Sequence, residues 1–192
     1  YLAIGPLYYF LFHKSNHQHY IDIFINNLMG KKGEDMISFI LGKEFDDKYT
    51  YIRNFPIVKE FKGGGDIDGI LLTPKGIFIL EVKFYSGSFR IDQGYFYKNL
   101  KNTSKNNRFN RPIWQAKKQH EYILELLKKN DITCYFRSLV VLANGHITAI
   151  NGKTDIYILE KSELVNFIKK DMTQLPNELS YETINQIIHS LV

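Results

Sequence analysis

Cysteine is almost absent from this chain of 192 residues, where Cys134 carries the only thiol. One thiol cannot close an intramolecular disulfide, and no Cys/His spacing is of the zinc-finger kind. A disulfide scaffold and a structural zinc are therefore both excluded, and the chain reads as intracellular and cytoplasmic. Cys134 has no evident base beside it and reads as a small buried hydrophobe. Long hydrophobic runs are also scarce. The opening run YLAIGPLYYFLF is apolar for only twelve positions before His13 and Lys14, short of the ~20 residues that span a bilayer. The chain does not begin with methionine, so two readings stay open for residues 1–28: an apolar and helical extension packed on the domain, or the end of a membrane anchor whose remainder lies upstream. A phosphate-binding loop is lacking too, since no Gly-Lys-Ser/Thr follows Gly63, Gly64 and Gly65. His13, His17 and His19 cluster and read as exposed polar residues.

Acidic residues are missing from one whole interval. None lies between Asp92 and Glu121, while Lys98, Lys101, Lys105, Arg108, Arg111, Lys117 and Lys118 all fall there. Such a block can attract a polyanion even though the net charge of +5 is modest. Tyr95, Phe96, Tyr97, Phe109 and Trp114 are interleaved with it, which suits nucleobase stacking where they are exposed. A solvated lysine-rich loop and helix face, with Trp114 in the core, is the alternative.

With 44% hydrophobic content, the length supports one well-covered core, and residues 29–192 read as a single domain without repeats or an internal linker. Tyr20, Ile23, Phe24 and Leu28, then Met36, Ile37, Ile40 and Leu41, have helical spacing, with GKKGED predicting a break between two helices or a kink. Residues 49–58 predict a strand broken near Pro56. Residues 67–72 and 77–82 predict an antiparallel hairpin closed by TPKG, and SFRI with YFYKN a second one around DQG. Pro112 opens a helix that ends near Asn130. SLVVLA at 138–143 reads as a strand covered on both faces, DIYILE at 155–160 as a shorter strand, and residues 161–170 and 181–191 as closing helices. The order predicts an α/β fold, a mixed β-sheet flanked by α-helices.

Within the first hairpin the stretch GDIDGILLTPKGIFILEVKFYSG places Asp66, Asp68, Glu81 and Lys83 where unpaired charge is expensive to bury. Alternation puts Glu81 and Lys83 on one face, at the end of the stripe made by Ile77 and Ile79. It puts Asp66 and Asp68 together on a face of the partner strand. Carboxylates converging there suit a hard cation such as Mg²⁺, beside which Lys83 can orient a water near a phosphate. Ordinary ion pairs at a sheet end account for the same residues.

GEDMISFIL from Gly33, DIDGILLTPKGIFILEVKFYSG, and RPIWQAKKQ from Arg111 resemble, in order and rough spacing, the nuclease-related domain (NERD) of the PD-(D/E)XK, restriction-endonuclease-like superfamily. The likeness covers roughly Gly33 to Ala143 and is strongest in Ile-Asp, the hairpin and Glu-Val-Lys. It implies that Asp68 and Glu81 are metal ligands, that Lys83 is the catalytic lysine, and that Glu34 on the early helix supports the metal or a water. It implies that Gln115 lies near enough to touch a phosphate or a ligand water. Asp66 is extra to the pattern, and Gly69 stands where the family usually has histidine. The expectation is a Mg²⁺- or Mn²⁺-dependent nuclease acting on DNA, with RNA as the alternative substrate. Its basic residues Lys98, Lys101, Lys105, Arg108, Arg111, Lys117 and Lys118 would grip the phosphate backbone without reading sequence. The alternatives are a binding module of the same fold that cleaves nothing and a membrane-tethered interaction domain.

Overall fold

The computed structural model describes residues 14–46, 49–98, 112–175 and 178–191. The apolar start, residues 1–13, and the basic residues Lys101, Lys105, Arg108 and Arg111, with Phe109, lie outside the described residues. A helix, α1 (Lys14–Glu44), leads into the strands β1 (Thr50–Ile57), β2 (Gly65–Thr73), β3 (Gly76–Asp92) and β4 (Tyr95–Lys98). Helix α2 (Pro112–Lys129) connects to β5 (Phe136–Asn151) and β6 (Tyr157–Glu160), and α3 (Lys161–Thr173) and α4 (Tyr181–Leu191) close the chain.

The strands form one sheet in the order β1-β2-β3-β5-β6, with β4 on the far half of β3. The β1–β2, β2–β3 and β3–β4 pairs are antiparallel, and the β3–β5 and β5–β6 pairs are parallel. This is the mixed α/β sheet that the sequence predicts. Alternation along β3 sorts its side chains between two cores. Phe78, Leu80 and Val82 pack with Ile37 and Leu41 of α1 and Leu164 and Ile168 of α3. Ile77 and Ile79 pack with Ile123 and Leu127 of α2 and Ile187 of α4. A third cluster joins Phe89, Ile91 and Phe96 to Ile113 and Ala116 at the start of α2.

Several local expectations are corrected. The GKKGED segment does not separate two helices, because α1 is continuous through it. Gly33 is buried there, and a Cβ on it would stand 3.1 Å from Phe84 Cβ and 3.4 Å from Val82 Cγ1. The missing side chain lets the helix lie close on β3, contact that offsets the ~1 kcal/mol helix penalty of glycine. Strand β1 runs through Pro56 because it is an edge strand, where a missing N–H need not be paired. SFRI does pair with YFYK as the expected hairpin, but as the end of the long strand β3, which stays paired to β5 through register shifts after Lys83. Trp114, at helical spacing with core residues, is 54% exposed.

Candidate active site

The site forms where β2 and β3 part. Their ladder runs from Thr73↔Gly76 to Gly69↔Leu80 and stops, while β2 continues alongside β1 as far as Ile57↔Gly65. Across β1 and β2 the register passes from Arg53↔Gly69 to Phe55↔Ile67 and leaves out the position between them, Asn54 and Asp68. Asn54 has φ +51°, a left-handed conformation uncommon outside glycine. Alternation reverses at this point in both strands. Ile52 and Phe55 share one core, as do Ile67 and Ile70, although the members of each pair are three positions apart.

Asp68, at the reversal, turns into the plane of the sheet. Its Oδ2 accepts the Val82 backbone N–H at 2.6 Å, the place a ladder carbonyl would otherwise fill. The expectation that Asp66 and Asp68 share a face fails for this reason: Asp66 is exposed, and Asp68 is half-buried in the fork. Glu81, 1% exposed, arrives from β3. Lys83 Nζ pairs with Glu81 Oε1. Gln119 of α2 spans the fork, its Nε2 donating to the Asp66 carbonyl at 3.2 Å and to Glu81 Oε2.

Two carboxylates and one ammonium in so enclosed a place interact strongly. Burial, then the charge of Glu81, pushes the Asp68 carboxyl up to about 8, with Lys83 and the Val82 N–H opposing. Burial likewise raises Glu81, against the pull of Lys83 and Gln119. Lys83 rises as well: burial works to lower it, but the charge and hydrogen bond of Glu81, joined by the charges of Asp68 and Tyr85, prevail, so its ammonium is retained at neutral pH. An arrangement that holds two carboxylates together and raises the cost of charging them is one that a divalent cation relieves.

The other expected residues divide. Glu34 lies on α1, packed on the opposite face of the sheet, and its Oε2 is 3.7 Å from Nη2 of Arg53, which also donates to Asp35 Oδ1 at 2.7 Å. Its charge is felt by Asp68, but among the described residues no three His, Cys, Asp or Glu side chains group to share a metal. Gln115 is half-buried, one turn before Gln119 in α2. Of the basic residues, Lys98 is half-buried at the end of β4. Lys117 pairs with Asp155 at 3.1 Å, and Lys118 donates to the Gly64 carbonyl.

Gln119 and Tyr51 are the residues that sequence reasoning missed. Gln119 carries a legible signal, a polar residue in the apolar stripe between Ala116 and Ile123. Tyr51 carries none in its own surroundings. The signal is Gly69, for a Cβ there would stand 2.2 Å from Tyr51 Oη, so the phenol takes the space that a side chain at 69 would need.

A mixed sheet with helices on both faces, opening at its centre onto two carboxylates and a lysine, defines an α/β protein consistent with the restriction-endonuclease-like class. The family follows from comparison: the nuclease-related domain (NERD) profile matches residues 29–143, more than half of the chain, which therefore belongs to that family. An uncharacterized protein of Bacillus anthracis is 24% identical over 172 residues, covering 85% of this chain and 75% of its own length. No solved structure matches. Among the described residues no helix is long and apolar enough to cross a membrane.

Proposed function

We propose that this chain is a divalent-cation-dependent nuclease that hydrolyses phosphodiester bonds of DNA, with RNA as the alternative substrate. The observation that carries the reading is the convergence of Asp68, Glu81 and Lys83 at the fork between β2 and β3. Its donor set fits Mg²⁺ or Mn²⁺, which favour carboxylate oxygens and are bound through one or two carboxylates with water and phosphate completing the shell. Asp68 and Glu81 would hold the ion, and Glu34 acts on it at a distance through its charge. When bound, the cation supplies the charge that activates water and stabilises the leaving oxygen.

The chain's own residues do the rest. Lys83, kept as an ammonium by Glu81, orients the attacking water and faces the phosphate. Gln119 fixes the Glu81 carboxylate from α2 and ties β2 to it, so that both carboxylates keep their orientation. Gln115, one turn earlier, faces substrate, and the basic residues from Lys98 to Lys118 grip the backbone.

The test is incubation of the purified protein with supercoiled DNA, linear DNA and RNA in Mg²⁺, Mn²⁺ or EDTA, beside Glu81→Ala and Lys83→Ala. Cation-dependent cleavage lost in both variants supports the reading, whereas equal nicking by all three proteins identifies a contaminant. Steeply salt-dependent DNA binding without any cleavage would establish a binding module instead.

A further inference from the structure

Beside the carboxylate fork, on the β1 side, two hydrogen-bond donors are left over. Among the described residues neither Tyr51 Oη nor Arg53 Nε has an acceptor, although both atoms are shielded from solvent. Buried donors without acceptors are uncommon, and leaving one so costs on the order of 1–3 kcal/mol. The two residues are i and i+2 on β1 and project from the same side of the strand. Arg53 is the cross-strand neighbour of Gly69 and Tyr51 that of Leu71, and the Tyr51 ring lies over the bare Gly69 backbone. The Tyr51 hydroxyl thus sits in the space left by the missing side chain at Gly69, one residue from Asp68.

The surroundings decide what these two donors accept. Arg53 is already tied through Nη2 to Asp35 and Glu34, which leaves Nε without an acceptor. The Tyr51 hydroxyl remains protonated at any ordinary pH: burial raises its pKa well above the usual value, Arg53 opposes, and the charges of Asp68 and Glu34 add to the rise. Two donors that never lose their protons repel a metal ion and suit an acceptor-only oxygen. Next to a site for phosphodiester hydrolysis, that oxygen belongs to a phosphate.

We propose that Tyr51 Oη and Arg53 Nε form a two-donor subsite for a non-bridging oxygen of the substrate phosphodiester, on the β1 side of Asp68. The proposal rests on the nuclease reading and adds to it the residues that position the phosphate against the carboxylates. Tyr51 and Arg53 are then positioning groups whose hydrogen bonds exist only with substrate bound.

The experiment compares wild type, Tyr51→Phe, Arg53→Lys and Lys83→Ala by steady-state cleavage, by affinity for a short DNA duplex in EDTA, and by thermal unfolding of the free proteins. Tyr51→Phe removes a buried oxygen that has no partner in the free protein, so its Tm should equal or exceed the wild-type value. Its kcat/KM should fall about tenfold or more, as for a lost hydrogen bond to a charged group, and duplex affinity should weaken. Arg53→Lys should show the same losses in cleavage and affinity. An active wild type, silenced by Lys83→Ala but matched by Tyr51→Phe in kcat, KM and affinity, overturns the subsite and leaves the nuclease reading intact. A lowered Tm with unchanged cleavage would assign the hydroxyl a structural partner and also overturn it. A wild type that neither binds nor cuts nucleic acid overturns both.

Discussion

Replacing Asp68 by asparagine should make the cation-free protein more stable while removing its activity. The amide oxygen of the introduced asparagine can still accept the Val82 N–H, so the fork keeps its geometry, but the negative charge that burial disfavours is gone. The carboxyl is displaced from 3.8 to about 8, chiefly by burial. Because the folded protein holds this proton more tightly than the unfolded chain, the contribution to stability is complete below about pH 4. It is withdrawn as the pH rises toward 8. At 1.36 kcal/mol per unit, a group acting alone would lose on the order of 5 kcal/mol over that window. Glu81 titrates with Asp68 and Lys83 offsets both, so we expect about 2–3 kcal/mol between Asp68→Asn and wild type at pH 8. For a chain of this length that is roughly 4–10 °C in Tm. Thermal unfolding in EDTA from pH 4 to pH 9 provides the assay, with the two proteins converging at the acid end. Adding Mg²⁺ should raise the Tm of wild type and leave Asp68→Asn unmoved. A variant less stable than wild type at pH 8, or a difference that does not vary with pH, would refute the reasoning.

Gln119→Leu should leave Glu81 Oε2 and the Asp66 carbonyl without their donor, lowering stability by about 1–3 kcal/mol and Mn²⁺ affinity or cleavage by about 10- to 100-fold, as chemical denaturation and metal titration would show. Asn54→Val should cost about 1–3 kcal/mol and reduce cleavage, because a β-branched residue resists φ +51°, whereas Asn54→Gly should retain both; paired denaturation curves and cleavage rates separate the two. Gly33→Val should lower the denaturation midpoint by an amount equivalent to about 1–3 kcal/mol, since its side chain meets Phe84 and Val82 where α1 lies on β3.

Much of this was legible in the sequence for a simple reason. The β2–β3 hairpin rests on local signals, TPKG between two apolar runs, and its register Thr73↔Gly76 is the one that turn dictates. The continuous run at 138–143 likewise became a strand buried on both faces. Glu81 and Lys83 fell as alternation requires, because β3 is regular as far as Lys83. Asp68 did not, because alternation assumes an unbroken strand, and the reversal depends on a left-handed residue in the neighbouring strand, Asn54. The continuity of α1 was hidden for a related reason. Gly33 reads locally as a breaker, and only its contact with β3 shows why it is tolerated. Gln119 could have been picked out from its place in the apolar stripe of α2. The resemblance carried Gln115 instead, the residue one turn earlier.

The central claim is that Asp68 and Glu81 together hold one divalent cation. Titration of Mn²⁺ into the nucleic-acid-free protein, followed by loss of the free-ion paramagnetic resonance signal, tests it without reference to substrate. The account predicts a single site in wild type that is lost in both Asp68→Asn and Glu81→Gln, with both variants folded. Mn²⁺ binding unchanged in either variant, or absent from a wild type that still cleaves DNA in a cation-dependent way, would contradict it.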